Sequence, residues 1–330
     1  MSTFPNLLKK IAAGIALAIL CVSCSRIPTL ATSPWEMLQL PTSANFQDLT
    51  FTGNPDHGWL VGSETAIFET TDGGKNWSPR KLQLDSDRYR FNSISFSGDE
   101  GWIVGQPSLL LHTNNGGSSW ERLTLSSKLP GNPFHIVATG KNGAEMATDV
   151  GAIYSTQDGG KNWKALVNDA VGVVRTMTRS PNGEYVAVSS KGNFYSTWKP
   201  GDSSWSPHNR NSSRRISTMG FTNDDRLWML ARGGQLQYTE PADRETWQSA
   251  QFPAQKTSWG LLDLVNRTPD ELWLSGGGGT LLRSDDAGKT WQQYTIAEKV
   301  PSNLYKIQFF PDNRGFIIGQ RGILLRYQGA

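Results

Sequence analysis

The side chains able to do chemistry are few and scattered along the 330 residues. Histidines stand at His57, His112, His135 and His208, with no spacing that would gather ligands round a metal ion. His57 lies in Pro55-Asp56-His57-Gly58-Trp59, and equivalent stretches read Gly98-Asp99-Glu100-Gly101-Trp102 and Pro311-Asp312-Asn313-Arg314-Gly315-Phe316. The acid-flanked histidine is therefore one copy of a recurring turn rather than half of a catalytic pair. Gly276–Gly279 is a run of four glycines, but no helix follows it to cradle a phosphate. There is no Gly-x-Ser-x-Gly, no His-Glu-x-x-His and no nucleophilic cysteine arrangement. Twenty-nine acidic residues leave room for a carboxylate pair, yet none is singled out by its setting. The expectation is no catalytic residue, no metal and no cofactor.

The most conspicuous acids sit in a phrase that the chain repeats. Ile67-Phe68-Glu69-Thr70-Thr71-Asp72-Gly73-Gly74-Lys75-Asn76-Trp77 returns as Ile153-Tyr154-Ser155-Thr156-Gln157-Asp158-Gly159-Gly160-Lys161-Asn162-Trp163. A short acidic side chain in such a turn accepts bonds from the loop's own N–H groups, glycine supplies positive φ, and tryptophan folds back over the hairpin. These acids are expected to be fold locks. The phrase resembles the Asp-box, or BNR, repeat. Thr70–Trp77, Thr156–Trp163 and Ser284–Trp291 match it fully, and Thr113–Trp120 has Asn115 in place of Asp. Thr197–Trp205 is one residue longer with its acid at Asp202, and Thr239–Trp247 is rewritten around Pro241 and Asp243.

What must position these hairpins follows from their spacing. The closing tryptophans Trp77, Trp120, Trp163, Trp205, Trp247 and Trp291 are 43, 43, 42, 42 and 44 residues apart, and Trp35 lies 42 before the first. A fixed period of about 40–45 residues signals a β-propeller. Short apolar runs bounded by Gly, Asn, Asp and Pro read as strands, and no stretch keeps a helical period. Innermost strands are expected at Gln47–Phe51, Ser93–Phe96, Val173–Thr178, Ser217–Phe221 and Leu261–Val265. Trp35–Leu40 is an outer strand without the three that should precede it, while Leu304–Phe310, Gly315–Gly319 and Gly322–Tyr327 are three strands without a fourth. Together they complete one blade and close the ring. The reading is all-β: a seven-bladed β-propeller of four-stranded blades over residues 35–330, its last blade closed by the N-terminal strand.

Residues 1–23 read as an export signal, with Lys9 and Lys10 ahead of the apolar run Ile11–Leu20, which is too short for a stable span. Val22-Ser23-Cys24 resembles a bacterial lipoprotein cleavage site, with Cys21 where that motif usually carries Leu. Cleavage there would leave Cys24 as a lipidated first residue, and two or three acyl chains at about 0.8 kcal/mol per CH₂ anchor a domain firmly. Residues 24–34 form a short tether. It contains Ser25-Arg26-Ile27-Pro28, which lacks the aromatic of the Arg motif that sialidases, another Asp-box family, carry. Both cysteines, Cys21 and Cys24, fall in this segment, so the propeller is expected to hold no disulfide.

Charge is the remaining signal. The chain beyond residue 23 has 30 basic and 29 acidic residues, a balance that argues against bulk nucleic-acid binding. From Arg175 to Arg232, however, nine basic residues face four acidic ones. The densest part, Asn209-Arg210-Asn211-Ser212-Ser213-Arg214-Arg215, has no acid. By the blade register it links an outer strand to the next inner strand, on the same side of the ring as Lys191, Arg232 and, near the start of its strand, Arg175. Arg179 and Arg226 fall nearer the opposite turns. Arginine forks that grip two oxygens at once suit a docking patch for an acidic or polar partner segment.

The lipoprotein-type signal, the seven Asp-box-like repeats, closure by Trp35–Leu40 and the Arg-rich middle blades together resemble the photosystem II assembly and stability factor family of cyanobacteria and chloroplasts. The resemblance covers the whole chain beyond the signal. It implies a non-enzymatic factor, peripheral and lipid-anchored on the lumenal side of the thylakoid membrane. Such a factor binds newly made reaction-centre subunits and early assembly intermediates, above all the precursor with a cleavable C-terminal extension, and acts in repair after light damage. The family's Arg patch maps onto Arg210, Arg214 and Arg215 first, then onto Arg175, Arg179 and Arg232. The rival classes are a sialidase-like, glycan-active Asp-box enzyme and an envelope lipoprotein scaffold unrelated to photosynthesis.

Overall fold

The computed structural model describes residues 29–30, 33–210, 212–254, 260–294, 300 and 302–329. The export signal, Cys24 and Arg26-Ile27-Pro28 lie outside the described residues.

Seven antiparallel sheets stand round a central channel, one for each repeat. The innermost strands are Phe46–Phe51, Arg90–Ser97, Pro133–Gly140, Val174–Arg179, Ile216–Phe221, Leu261–Asn266 and Leu304–Phe309. Blades one to seven are numbered by these. Each continues outward through strands in strict sequence order, except the last. There Trp35–Gln39 pairs antiparallel with Ile323–Tyr327, Trp35 opposite Tyr327 and Gln39 opposite Ile323. The fold is thus the all-β, seven-bladed propeller expected, and among the described residues it has a single 3₁₀ turn, at Gly277–Gly279. Thr29–Leu30 runs parallel to Gln293–Tyr294 as a fifth strand on the rim of blade six.

The second strand of every blade is buried along its length, as in Gly58–Gly62 and Gly315–Gly319. A half-buried strand would alternate apolar and polar residues, but here both faces meet a neighbouring blade. Leu60 packs with Phe316 and Ile318 of blade seven. Its neighbours Trp59 and Val61 point the other way, into Phe91, Ile94 and Ile103 of blade two. The core is therefore a ring of layers between blades. It ends where it began: Trp35, edge-on to Trp273 at 5.4 Å and to Tyr327 at 5.1 Å, ties blade six to blade seven.

Candidate functional site

The chain direction gives the ring two unlike faces. The hairpins between third and fourth strands share one face with the turns between first and second strands. The connections between blades share the other with the turns between second and third strands.

On the hairpin face the repeated acids do local work. Asp158 accepts the Asn162 N–H at 2.9 Å, the Asn162 side-chain amide at 2.7 Å and the Thr156 hydroxyl at 2.9 Å. These donors hold its carboxyl down at about 2. Asp72 and Asp286 repeat the pattern, and Asn115 reproduces it with its amide oxygen. In the first two locks the second glycine has two reasons to be glycine. Gly74 and Gly117 have φ of +86° and +90°, and a Cβ would lie 2.4 Å from Phe316 or 2.5 Å from Trp59, aromatics of the preceding blade. His57 and His112 are spoken for by Glu69 at 2.8 Å and Glu100 at 2.6 Å.

The altered fourth and fifth hairpins leave a cleft of about 510 Å³. Its charged groups answer one another: Arg244 meets Glu184 at 2.5 Å and His208 meets Glu245 at 3.1 Å, with the imidazole stacked on Tyr195 at 4.7 Å.

The channel, about 790 Å³, is lined by the innermost strands. All seven strands carry a register shift after their first residues, and the residue past the shift is polar in each: Asp48, Ser93, His135, Thr176, Thr218, Asp263 and Lys306. Asp48 receives Lys306 at 2.5 Å, the Ser93 hydroxyl at 2.8 Å and the Ile94 N–H at 3.1 Å, so it joins blades seven, one and two. Burial alone would raise its carboxyl, but these partners leave it below the ordinary range. Asp263 accepts the Leu264 and Ile307 N–H groups at 2.9 and 2.7 Å, and burial lifts it to about 6 against these bonds and the Lys306 charge. Burial pushes His135 down to about 4, against the pull of Asp48. The channel carboxylates are thus committed to blade junctions. Among the described residues no group of three or more His, Cys, Asp or Glu is arranged to hold a metal ion.

The connection face gathers the arginines. The Arg175 guanidinium donates to the Ser190 carbonyl at 3.0 Å. Two residues on, the Gly192 carbonyl accepts the Ile216 N–H at 2.8 Å, which pins the start of blade five's inner strand, just after Arg214 and Arg215, against the turn carrying Lys191. The Arg215 carbonyl accepts the Arg232 N–H at 2.8 Å, and the Arg214 guanidinium donates to the Arg232 carbonyl at 3.2 Å. Arg210 reaches the Arg214 carbonyl at 2.8 Å, and its partial burial holds it below its usual value. Hydrogen bonds to carbonyls thus string Arg175, Arg210, Arg214, Arg215 and Arg232 along blades four and five. Among the described residues none of the five has a carboxylate within ion-pair distance, whereas Arg80, Arg122, Arg226, Arg244, Arg283, Arg314 and Arg326 all do. The loop placement read from the sequence brings these five together.

Arg179 does not join them. It ends the strand that carries Arg175 near its start and donates to Glu145 of blade three at 2.7 Å; Tyr185 donates to the same carboxylate at 2.8 Å. Two side chains that sequence reasoning did not single out flank the string. Val173 is 61 % exposed and Phe252 49 %, and Arg214 lies over the Phe252 ring at 5.7 Å. Val173 reads in the sequence as the first residue of a strand that in fact starts at Val174.

The family profile described as "Photosynthesis system II assembly factor YCF48" matches residues 27–328. The "Photosystem II assembly lipoprotein Ycf48" of Synechocystis sp. is 62 % identical over 328 residues, covering 98 % of this chain and 96 % of its own. A solved structure described as "YCF48 bound to D1 peptide" is 54 % identical, with a TM-score of 0.89 over 92 % of this chain and all of its own. "YCF48 from Cyanidioschyzon merolae" is 40 % identical, with a TM-score of 0.82 over 89 % of this chain and 98 % of its own.

Proposed function

The chain belongs to the photosynthesis system II assembly factor YCF48 family, and from that premise we propose that it is a non-enzymatic assembly and repair factor for photosystem II. It captures newly made reaction-centre subunits, above all the precursor with a C-terminal extension, through the arginine string on its connection face. An export signal over residues 1–23, lipid on Cys24 and a tether over 24–34 hold it at the lumenal surface of the thylakoid membrane. Arg210, Arg214 and Arg215 are the primary contacts, and Arg175 and Arg232 extend them. Arg179, committed to Glu145, acts by holding blades three and four in place.

The observation that carries this reading is electrostatic. Five arginines converge on one face where, among the described residues, no carboxylate comes within ion-pair distance of them, and a 54 % identical relative has been solved with a peptide bound. The mechanism is capture and release. The anchor confines the domain to the surface where subunits emerge, the forks grip carboxylates or carbonyls of an extended segment, and later partners displace it. Exposed arginine–carboxylate contacts contribute about 0.2–1 kcal/mol each, so three sum to roughly a 3- to 100-fold effect on affinity.

The test is a pull-down from mildly solubilised thylakoids with the domain and its Arg210→Ala, Arg214→Ala, Arg215→Ala form. Reaction-centre precursors should be recovered by the first and lost from the second, and recovery by the first should decline with salt. Equal recovery by both would move the contact to another face. No recovery by a folded bait would remove the assembly reading and make hydrolysis of a glycoside panel the next assay.

A further inference from the structure

The described surface is almost free of large exposed apolar side chains. There are two, Val173 and Phe252, and both border the arginine string. Val173 sits at one end: its carbonyl accepts the Ser190 N–H at 2.9 Å, beside the carbonyl that Arg175 grips. Phe252 sits at the other, in the connection leaving blade five, under the Arg214 guanidinium at 5.7 Å. Scattered apolar residues on a surface need no explanation, but here the pair coincides with the unpaired cations.

We propose that this face is a composite docking strip whose occupant is an extended peptide segment with carboxylates in its middle and bulky apolar side chains at either end. This rests on the capture reading above and adds its specificity. The chemistry comes from the order along the strip: Val173, Arg175, then Arg210, Arg214 and Arg215 with Arg232, then Phe252. A merely acidic segment would leave both apolar ends in water and would be interchangeable with any other acidic chain. Phe252 is held by a cation over its face, so little side-chain freedom is lost when a partner ring or aliphatic chain packs on its open side. Affinity at such a surface concentrates in desolvated aromatic and arginine contacts. The apolar ends therefore supply a part of the binding that salt does not screen.

The experiment measures binding of the purified domain to two fluorescent twelve-residue peptides, at low and at high salt. One has three central Glu flanked by Leu and Phe, and the other replaces the Leu and Phe with Ser. The domain is used unchanged, as Val173→Ser with Phe252→Ser, and as the triple Arg→Ala form, and thermal melting checks that each is folded. The flanked peptide should bind the unchanged domain at least tenfold more tightly than the Ser peptide, and that preference should persist at high salt. Val173→Ser with Phe252→Ser should abolish the preference while leaving the salt dependence intact. Equal binding of both peptides, or a preference surviving the double substitution, overturns the composite strip while the arginine reading stands. Failure of both peptides to bind at low salt, or binding that survives the Arg→Ala form unchanged, overturns both.

Discussion

Two buried groups in the channel wall are shifted in opposite senses, Asp263 upward and His135 downward. Asp263 is lifted by burial to about 6, against an ordinary carboxyl near 3.8. The folded state therefore holds a proton that the unfolded chain has lost, and the stability this adds is full below about 4 and gone above about 6. His135 is pushed by burial to about 4 from 6.5, with Asp48, Lys306 and Arg179 as its charged neighbours. Its contribution is full above about 6.5 and is lost as pH falls towards 4. Between pH 4 and 6 the two slopes offset one another. Each is on the order of 3 kcal/mol when fully expressed, or about 6–12 °C in melting temperature for a large domain. Calorimetry from pH 4 to 7 separates them. Asp263→Asn should make the melting temperature fall more steeply on acidification than in the parent. His135→Gln should flatten or reverse that fall. Parallel curves for parent and both variants would mean that neither group is desolvated in solution.

The hairpins show how element-level design is divided between stability and use. Four locks share one geometry, in which an Asp or Asn oxygen closes the turn on the N–H four residues on. The fourth hairpin abandons it. There the Asp202 N–H donates to the Lys199 carbonyl and its own carbonyl accepts the Trp198 indole at 2.9 Å, so the carboxylate closes nothing. Asp158→Ala should therefore lower the midpoint of urea unfolding, and Asp202→Ala should leave it where it is. Equal losses would mean that the locks are not what the carboxylates are for. The same contrast explains what could be read beforehand. The matching locks, the strand order and the closing strand were readable because each rests on local residue type at a fixed period. The loop placement of Arg210, Arg214, Arg215 and Arg232 followed from that register. The partner of Arg179 did not, since Glu145 is 34 residues away in another blade. Nor did the shared register shift in the inner strands, which turns Asp48, Asp263 and Lys306 into the channel. Val173 and Phe252 were missed because an isolated apolar residue beside a strand has the same sequence signature whether it is buried or left in water.

At the scale of the whole ring, closure is one strand deep. Blade seven owes its outer strand to Trp35–Gln39, and the indole of Trp35 is 3 % exposed between Trp273, Phe309 and Tyr327. Glu36 adds an ion pair with Arg326 at 2.8 Å across the same junction. Inside the channel, Lys306 and Asp48 bridge blades seven and one independently of that strand. A propeller is cooperative only when its first and last blades are joined, because an unpaired outer strand is an open sheet edge. Trp35→Ala leaves the backbone pairing intact and removes the ring, so it should cost about 3–5 kcal/mol with the molecule still monomeric. A chain beginning at Pro41 loses the strand itself. It exposes the ladder groups of Ile323–Tyr327 and the apolar seat of Trp35 together. Light scattering after gel filtration should then show self-association, and calorimetry should show a broadened transition at lower temperature. A monomeric, sharply melting chain without residues 35–40 would mean that the channel contacts alone hold the ring shut. In that case the Lys306–Asp48 bridge, not the borrowed strand, would be the closure, and Lys306→Met would be the substitution that opens it.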